Sequence, residues 1–138
     1  MKASILNPYI NFNGNAREAI EFYNAAFGGK LTVSTYKEGG MPASPEEENK
    51  VMHGMIEADN GIVLMAADTP SGWPYTPGTN VSVSLSGEDE EQLRGYWDKL
   101  SAGGKVTQPL TKAPWGDTFG MFTDKFGIGW MVNIAGKK

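Results

Sequence analysis

The sequence contains a single imidazole, His53, set in the apolar run Val51-Met52-His53-Gly54-Met55-Ile56. In one reading this is a histidine that serves structure. In another it is a general base or hydrogen-bond anchor, with Glu57 further along the same strand face or Asp68 from the next strand as its carboxylate partner. One histidine with carboxylates also leaves open a non-standard metal site. Nucleophilic catalysis has no candidate, because the chain has no cysteine and no serine stands in a Gly-x-Ser-x-Gly elbow. The lack of cysteine also excludes disulfides and thiolate-bound zinc, and it fits a reducing cytoplasm.

The elements that must position these residues form a repeat. Ala16, Ala19, Ile20, Tyr23 and Phe27 recur at helical spacing, Asn15 and Glu18 make the expected capping pair, and Gly28 stands at the C-cap. A second helix is expected over residues 89–101, with Leu93, Tyr96, Trp97 and Leu100 on one face and acidic residues in its first turn. Gly28-Gly29-Lys30-Leu31-Thr32 follows the first helix, and Gly103-Gly104-Lys105-Val106-Thr107 follows the second, 75 residues later. Both glycine pairs read as helix C-caps with φ > 0.

Alternation predicts a strand before each helix: Pro8, Ile10 and Phe12 alternate with Tyr9 and Asn11, and Val81, Val83 and Leu85 alternate with Ser82 and Ser84. Three strands should follow each helix, near residues 30–36, 50–58 and 61–67 in the first half and 105–110, 117–123 and 128–134 in the second. Asp59-Asn60-Gly61 supplies a hairpin turn. Gly61-Ile62 and Met65 recur as Gly127-Ile128 and Met131, 66 residues on. The expected fold is therefore α+β: two βαβββ modules, residues 1–69 and 80–138, joined by a linker over 70–79. Segments 39–48 and 70–79, rich in proline, read as loops, and Glu46-Glu47-Glu48 as a solvated run.

With 138 residues, 40% of them hydrophobic and 20% charged, the chain can build an independent core, and the disordered and coiled-coil classes fall away. Glycine, at 18 residues, is in excess, and the repeated caps and turns absorb much of it. Twelve basic residues stand against sixteen acidic ones, a net charge of −4, with no basic cluster beyond Lys137-Lys138. Nucleic acid is thus not an expected partner. Met1-Lys2-Ala3-Ser4-Ile5-Leu6 offers no apolar run long enough for a leader or a membrane span, so a cytoplasmic protein without a membrane partner is expected.

Several short motifs add up in order and spacing. The first set is Pro8-Tyr9-Ile10-Asn11-Phe12-Asn13-Gly14-Asn15-Ala16, Glu18-Ala19, Phe22-Tyr23, Phe27-Gly28-Gly29 and Val51-Met52-His53. The second is Gly103-Gly104-Lys105-Val106, Trp115-Gly116, Phe119-Gly120, Asp124, Phe126-Gly127 and Trp130-Met131. Over nearly its whole length the chain resembles the vicinal oxygen chelate superfamily, the fold of glyoxalases, bleomycin-resistance proteins and extradiol dioxygenases, and within it the PhnB-like branch. The resemblance implies mixed sheets curved around a cleft, helices on their outer faces, and a homodimer.

It also implies a divalent metal held by His, Glu or Gln at four strand positions, two per module. Those positions fall here on Asn7 (or Pro8, if the strand slips by one), Met65, Asn80 and Met131. None is a standard ligand, because thioethers suit soft ions and asparagine is a weak neutral donor. No cofactor is therefore expected, and a divalent metal lacks support from these positions. Alternation lines the implied cleft with Tyr9, Asn11, Met65, Ser82, Ser84, Met121, Met131 and Asn133, an apolar floor with a few amides and hydroxyls that suits a small molecule. Trp115 and Trp130 are expected in the core or at a dimer contact, and Asp124 as the cap of the turn into the last strand.

The function expected from these residues is small-molecule binding without the superfamily's metal. The alternative is a metal-dependent or histidine-based lyase, isomerase or dioxygenase of the same fold, and a third reading is a structural protein with a filled cleft. The ubiquinone-pathway methyltransferase name often given to the branch finds no glycine-rich strand-to-helix turn in this sequence.

Overall fold

The computed structural model describes residues 4–40 and 43–136. Met1-Lys2-Ala3 at the start of the leader reading, Pro42 in the first expected loop and the Lys137-Lys138 pair lie outside the described residues. The chain divides into two compact units, Met1–Thr76 and Pro77–Lys138.

The first unit runs β1 (Tyr9–Phe12), α1 (Ala16–Phe27), β2 (Lys30–Thr35), β3 (Val51–Glu57) and β4 (Val63–Asp68). Its sheet order is β1-β4-β3-β2, with β1 parallel to β4 and the other pairs antiparallel. The second unit repeats the plan with β5 (Val83–Gly87), α2 (Glu90–Ser101), β6 (Lys105–Lys112), β7 (Thr118–Thr123) and β8 (Gly129–Ile134), in the order β5-β8-β7-β6. Each unit is a βαβββ module with an open four-stranded mixed sheet, so the fold is α+β. Among the described residues no helix is long and apolar enough to cross a membrane.

Each helix buries one stripe against one sheet face. On α1, Ile20 and Tyr23 are fully buried, and they belong to a core with Phe12, Ile56, Leu64 and Ala66. On α2, Leu93, Trp97 and Leu100 share a core with Phe122, Trp130, Val132 and Ile134. Burying each large side chain contributes about 1.5–3 kcal/mol. Both helices approach their sheets over a glycine: a Cβ on Gly54 would strike Ile20 Cδ1, and one on Gly120 would strike the Trp97 ring. These glycines are themselves 66 residues apart, the spacing that relates Met65 to Met131.

The start of α1 differs from expectation. Asn15 makes no side-chain cap. Asp68 Oδ1, at the end of β4, instead accepts the amides of Gly14 (2.8 Å) and Ala16 (2.9 Å). A carboxylate satisfies orphan helix amides and opposes the positive end of the helix dipole from any point in the chain that can reach them. Asp89 caps α2 locally, accepting from the Gln92 amide at 3.0 Å.

The paired glycines divide their labour. Gly28 (φ 66°) is the left-handed C-cap of α1, whereas Gly103 (φ 77°), also left-handed, stands one residue past the C-cap of α2, the extended Ala102. Gly29 and Gly104 are not caps: a Cβ on Gly29 would collide with the Glu57 carbonyl, and one on Gly104 with the Thr123 carbonyl. The turns joining β3 to β4 and β7 to β8 also correspond. Ala58 N donates to Ile62 O at 2.9 Å, and Asp124 N to Ile128 O at 2.8 Å. The first of these turns is a 3-10 turn over Asp59–Gly61.

Trp130 and Trp115 part company. Trp130 is 1% exposed, its indole N–H donating to Asp124 Oδ2 at 2.9 Å, while Asp124 Oδ1 accepts the amides of Phe126 and Ile128. Asp124 thus organises the turn into β8. Trp115 is 64% exposed and stands edge-on to Phe119, so it is not a core residue.

Candidate functional site

Strand registers give each sheet a face turned away from its helix. In the first unit one row across that face is Tyr9, Met65, Met55 and Thr32, and the next is Asn11, Ala67, His53 and Ser34. Of the residues expected at a site in this unit, Tyr9, Asn11, Met65, His53 and Glu57 share the face. Asp68 does not. It follows Ala66, whose neighbours face α1, and its carboxylate takes three backbone amides, those of Gly14, Ala16 and Val51, the last at 3.0 Å. At 2% exposure it is a structural tie and not a partner for His53. Glu57 lies on the same face as His53 but four residues along β3, about 13 Å at the strand rise, with Met55 between; its registered neighbour is Lys30.

His53 has an aromatic neighbour instead. The Tyr9 and His53 rings sit 5.9 Å apart at 50°. Their strands β1 and β3 flank β4, where Tyr9 is registered with Met65 and Asn11 with Ala67, which is 4% exposed. Tyr9 remains 48% exposed and His53 half-buried. Partial burial raises the Tyr9 hydroxyl above its ordinary pKa of 10.0.

In the second unit Ser84, Met131 and Met121 form the matching row, and Ser86, Asn133 and Phe119 the next. Ser82 lies just before β5, its side chain beside Gly129. The Asn133 amide is committed in part, donating to Asp117 Oδ2 at 2.9 Å. Registered methionine pairs, Met55 with Met65 and Met121 with Met131, occupy equivalent places in the two units. Met55 escaped the sequence reading of the site. The signal was present, since it alternates with His53 and stands 66 residues before Met121.

Cavities also lie away from these faces. A groove of about 350 Å³ in the second unit is lined by Arg94, Trp97, Asp98, Val106, Pro109 and Leu110. Among its walls, Arg94 of α2 pairs with Glu90 at 2.8 Å. In the first unit a hollow of about 230 Å³ is bounded by Asn13, Glu47, Lys50, residues 69–73 and Tyr75, with Ser71 N donating to Glu47 Oε2 at 3.1 Å. No residue expected at the site lines either cavity.

The family model described as Glyoxalase/Bleomycin resistance protein/Dioxygenase superfamily matches residues 5–132. The chain belongs to this superfamily. Protein YjdN of Escherichia coli K12 is 28% identical over 142 residues, spanning 94% of this chain and 95% of that one. Among solved structures, protein PA1353 of Pseudomonas aeruginosa is similar at 34% identity and a TM-score of 0.83, covering 98% of this chain and 100% of that one. A PhnB protein from Bacillus cereus, provisionally named a 3-demethylubiquinone-9 3-methyltransferase, is similar at 28% identity and a TM-score of 0.75, covering 96% of this chain and 100% of that one.

The donors present do not fit a divalent metal of the superfamily's kind. Asn7 turns its amide to the Pro8 carbonyl at 3.2 Å, Met65 and Met131 offer thioethers, and Asn80 lies outside β5. The position matching Asn7 at the 75-residue offset is Ser82. Among the described residues no three His, Cys, Asp or Glu side chains are grouped to hold a metal ion. Hard and borderline divalent ions need carboxylate or imidazole donors that these positions lack.

Proposed function

We propose that this superfamily member binds a small organic molecule on the His53–Tyr9 face of the first unit's sheet, without the divalent metal of its family and with no other cofactor. The observation that carries this reading is the pairing of the His53 and Tyr9 rings on the face that holds the registered Met55–Met65 pair. It is a half-exposed corner of aromatic, imidazole and thioether groups, the mix of apolar wall and few polar groups that small-molecule sites use. Among the described residues no hydrogen bond engages the His53 imidazole, so its nitrogens are available to a ligand. Asn11 is a further ligand-facing group of this reading; Ser84, Met121, Met131 and Asn133, with Ser82 just before β5, are the corresponding groups on the second unit's own sheet. A homodimer in the cytoplasm, as the family resemblance and the lack of cysteine suggest, completes it.

A histidine-based lyase, isomerase or dioxygenase is less well supported, since Asp68 is committed to backbone amides and Glu57 stands two rows from His53. The methyltransferase name of the Bacillus relative is also not carried over. The turn from β1 to α1 is Asn13-Gly14-Asn15, with one glycine, and the Asp68 carboxylate fills the helix N-terminus where a cofactor's anionic group would be held. Thermal-shift screening of EDTA-treated protein against a mixed metabolite and antibiotic panel tests the proposal. A ligand that raises the midpoint, with the shift lost in His53→Ala, supports it by mass action. Stabilisation that appears only after a divalent metal is added overturns it.

A further inference from the structure

The side chains of this face also define the kind of molecule it takes, and the argument rests on the binding role proposed above. The two central rows of the first unit hold Tyr9, Met65, Met55, Thr32, Asn11, Ala67, His53 and Ser34, with no carboxylate, lysine or arginine among them. The flanking row has Lys30 registered against Glu57, so its one cation faces an anion. The chain's two arginines lie elsewhere: Arg17 is on α1, and Arg94 on α2 is bonded to Glu90. An anionic ligand would give up its hydration on this face without a paired charge to replace it. The floor is the Met55–Met65 pair, kept as Met121–Met131 in the second unit although the residues around the two pairs differ. Thioether sulfur makes favourable contacts with aromatic rings, and the unbranched side chain adapts to a flat surface.

We infer that the ligand is an uncharged, planar aromatic molecule with a hydrogen-bonding oxygen or nitrogen at its edge. Its ring lies on Met55 and Met65, and its edge meets the His53 imidazole and the Tyr9 hydroxyl.

Three probes with the same two-ring skeleton test this: 2-naphthol, neutral and aromatic; 2-naphthoate, aromatic and anionic; and decahydro-2-naphthol, neutral and saturated. Binding is read by calorimetry and by NMR of protein labelled at the methionine methyls. 2-Naphthol is expected to bind at least tenfold more tightly than either other probe and to move the Met55 and Met65 methyl signals upfield by its ring current. Met55→Leu and Met65→Leu, which keep volume but remove sulfur, each weaken it two- to tenfold. Equal or tighter binding of the naphthoate or the saturated alcohol overturns the inference, as does 2-naphthol binding that leaves both methyl signals in place. Failure of all three probes, while another compound of the broader screen binds in a His53-dependent way, overturns the ligand class and leaves the binding role standing; no ligand in either experiment overturns both.

Discussion

Asp68 Oδ1 accepts the Ala16 amide at 2.9 Å, tying the end of β4 to the first turn of α1 across 52 residues. The same carboxylate holds Gly14 and Val51, so one side chain fixes the entry to the helix and the start of β3 together. Asp68→Asn keeps the shape but replaces an acceptor-only group with one that presents two donors to backbone amides. A loss of about 3 kcal/mol or more is expected from three weakened or orphaned buried bonds. Urea denaturation measures it, and a loss under 1 kcal/mol would show that the tie is dispensable. The imidazole signals of His53 in the folded variant should be unmoved, because Asp68 serves the other sheet face.

The glycine pairs make a sharper test of backbone physics. Gly28→Ala and Gly103→Ala place a Cβ in the left-handed region with open space or a flexible lysine nearby, and each should cost about 1–2 kcal/mol. Gly29→Ala and Gly104→Ala drive a Cβ into a strand carbonyl and should cost more, in both units alike. Equal losses at both members of each pair would refute the division of labour.

Tyr36 gives the fold an alkaline limit. Its hydroxyl donates to the Asp68 carbonyl at 2.6 Å, and burial first, then the charge of Asp68, raises its pKa above 10.0. Above that pH the unfolded chain has released a proton that the folded chain still keeps. The stability tied to Tyr36 is thus whole below about pH 10 and drains away as pH climbs towards the folded-state value. Tyr36→Phe should be less stable by about 1–2 kcal/mol at pH 8, from the carbonyl left unpaired, yet decline less steeply from pH 9.5 to 11. Parallel declines would remove Tyr36 from the account.

Much of this architecture was legible in the sequence because it is local. Helical spacing, alternation and the 75- and 66-residue offsets locate all ten main elements, since each depends on neighbours within a turn or a strand. The tie at Asp68 was not legible: nothing near Asn15 announces that a carboxylate 52 residues on will displace it as the cap. Alternation puts His53 and Glu57 on one strand face, but only the folded chain shows that Tyr9 of β1 stands beside His53 and that Met55 separates Glu57 from it. The register of β3 against β4 exposed Met55, hidden in sequence among apolar neighbours that look like ordinary core.

Metal dependence follows from the donor set. Dialysis against EDTA should leave the thermal midpoint unchanged, and Mn²⁺, Ni²⁺ or Zn²⁺ at tens of micromolar should give no saturable heat in calorimetry, because neutral amides and thioethers compete poorly with water for these ions. A stoichiometric divalent ion that survives dialysis and departs with His53→Ala would reverse this expectation.

The spans of the carboxylate ties also set an order of assembly. Asp117 closes its links to Asn133 and Gly136 over 16 and 19 residues, and Asp124 closes its own over 2 to 6, all around the β7–β8 hairpin. Asp68 must gather segments up to 54 residues distant, and the entropy of closing a loop rises with its length. The β7–β8 hairpin should therefore be structured in the folding transition state of its unit, with high φ-values at Asp124 and Trp130. The Asp68 knot should close late, so that losing it speeds unfolding while barely slowing folding. The side chain that gathers three distant backbone amides of the first unit is then also the latch whose release sets how long that unit stays folded.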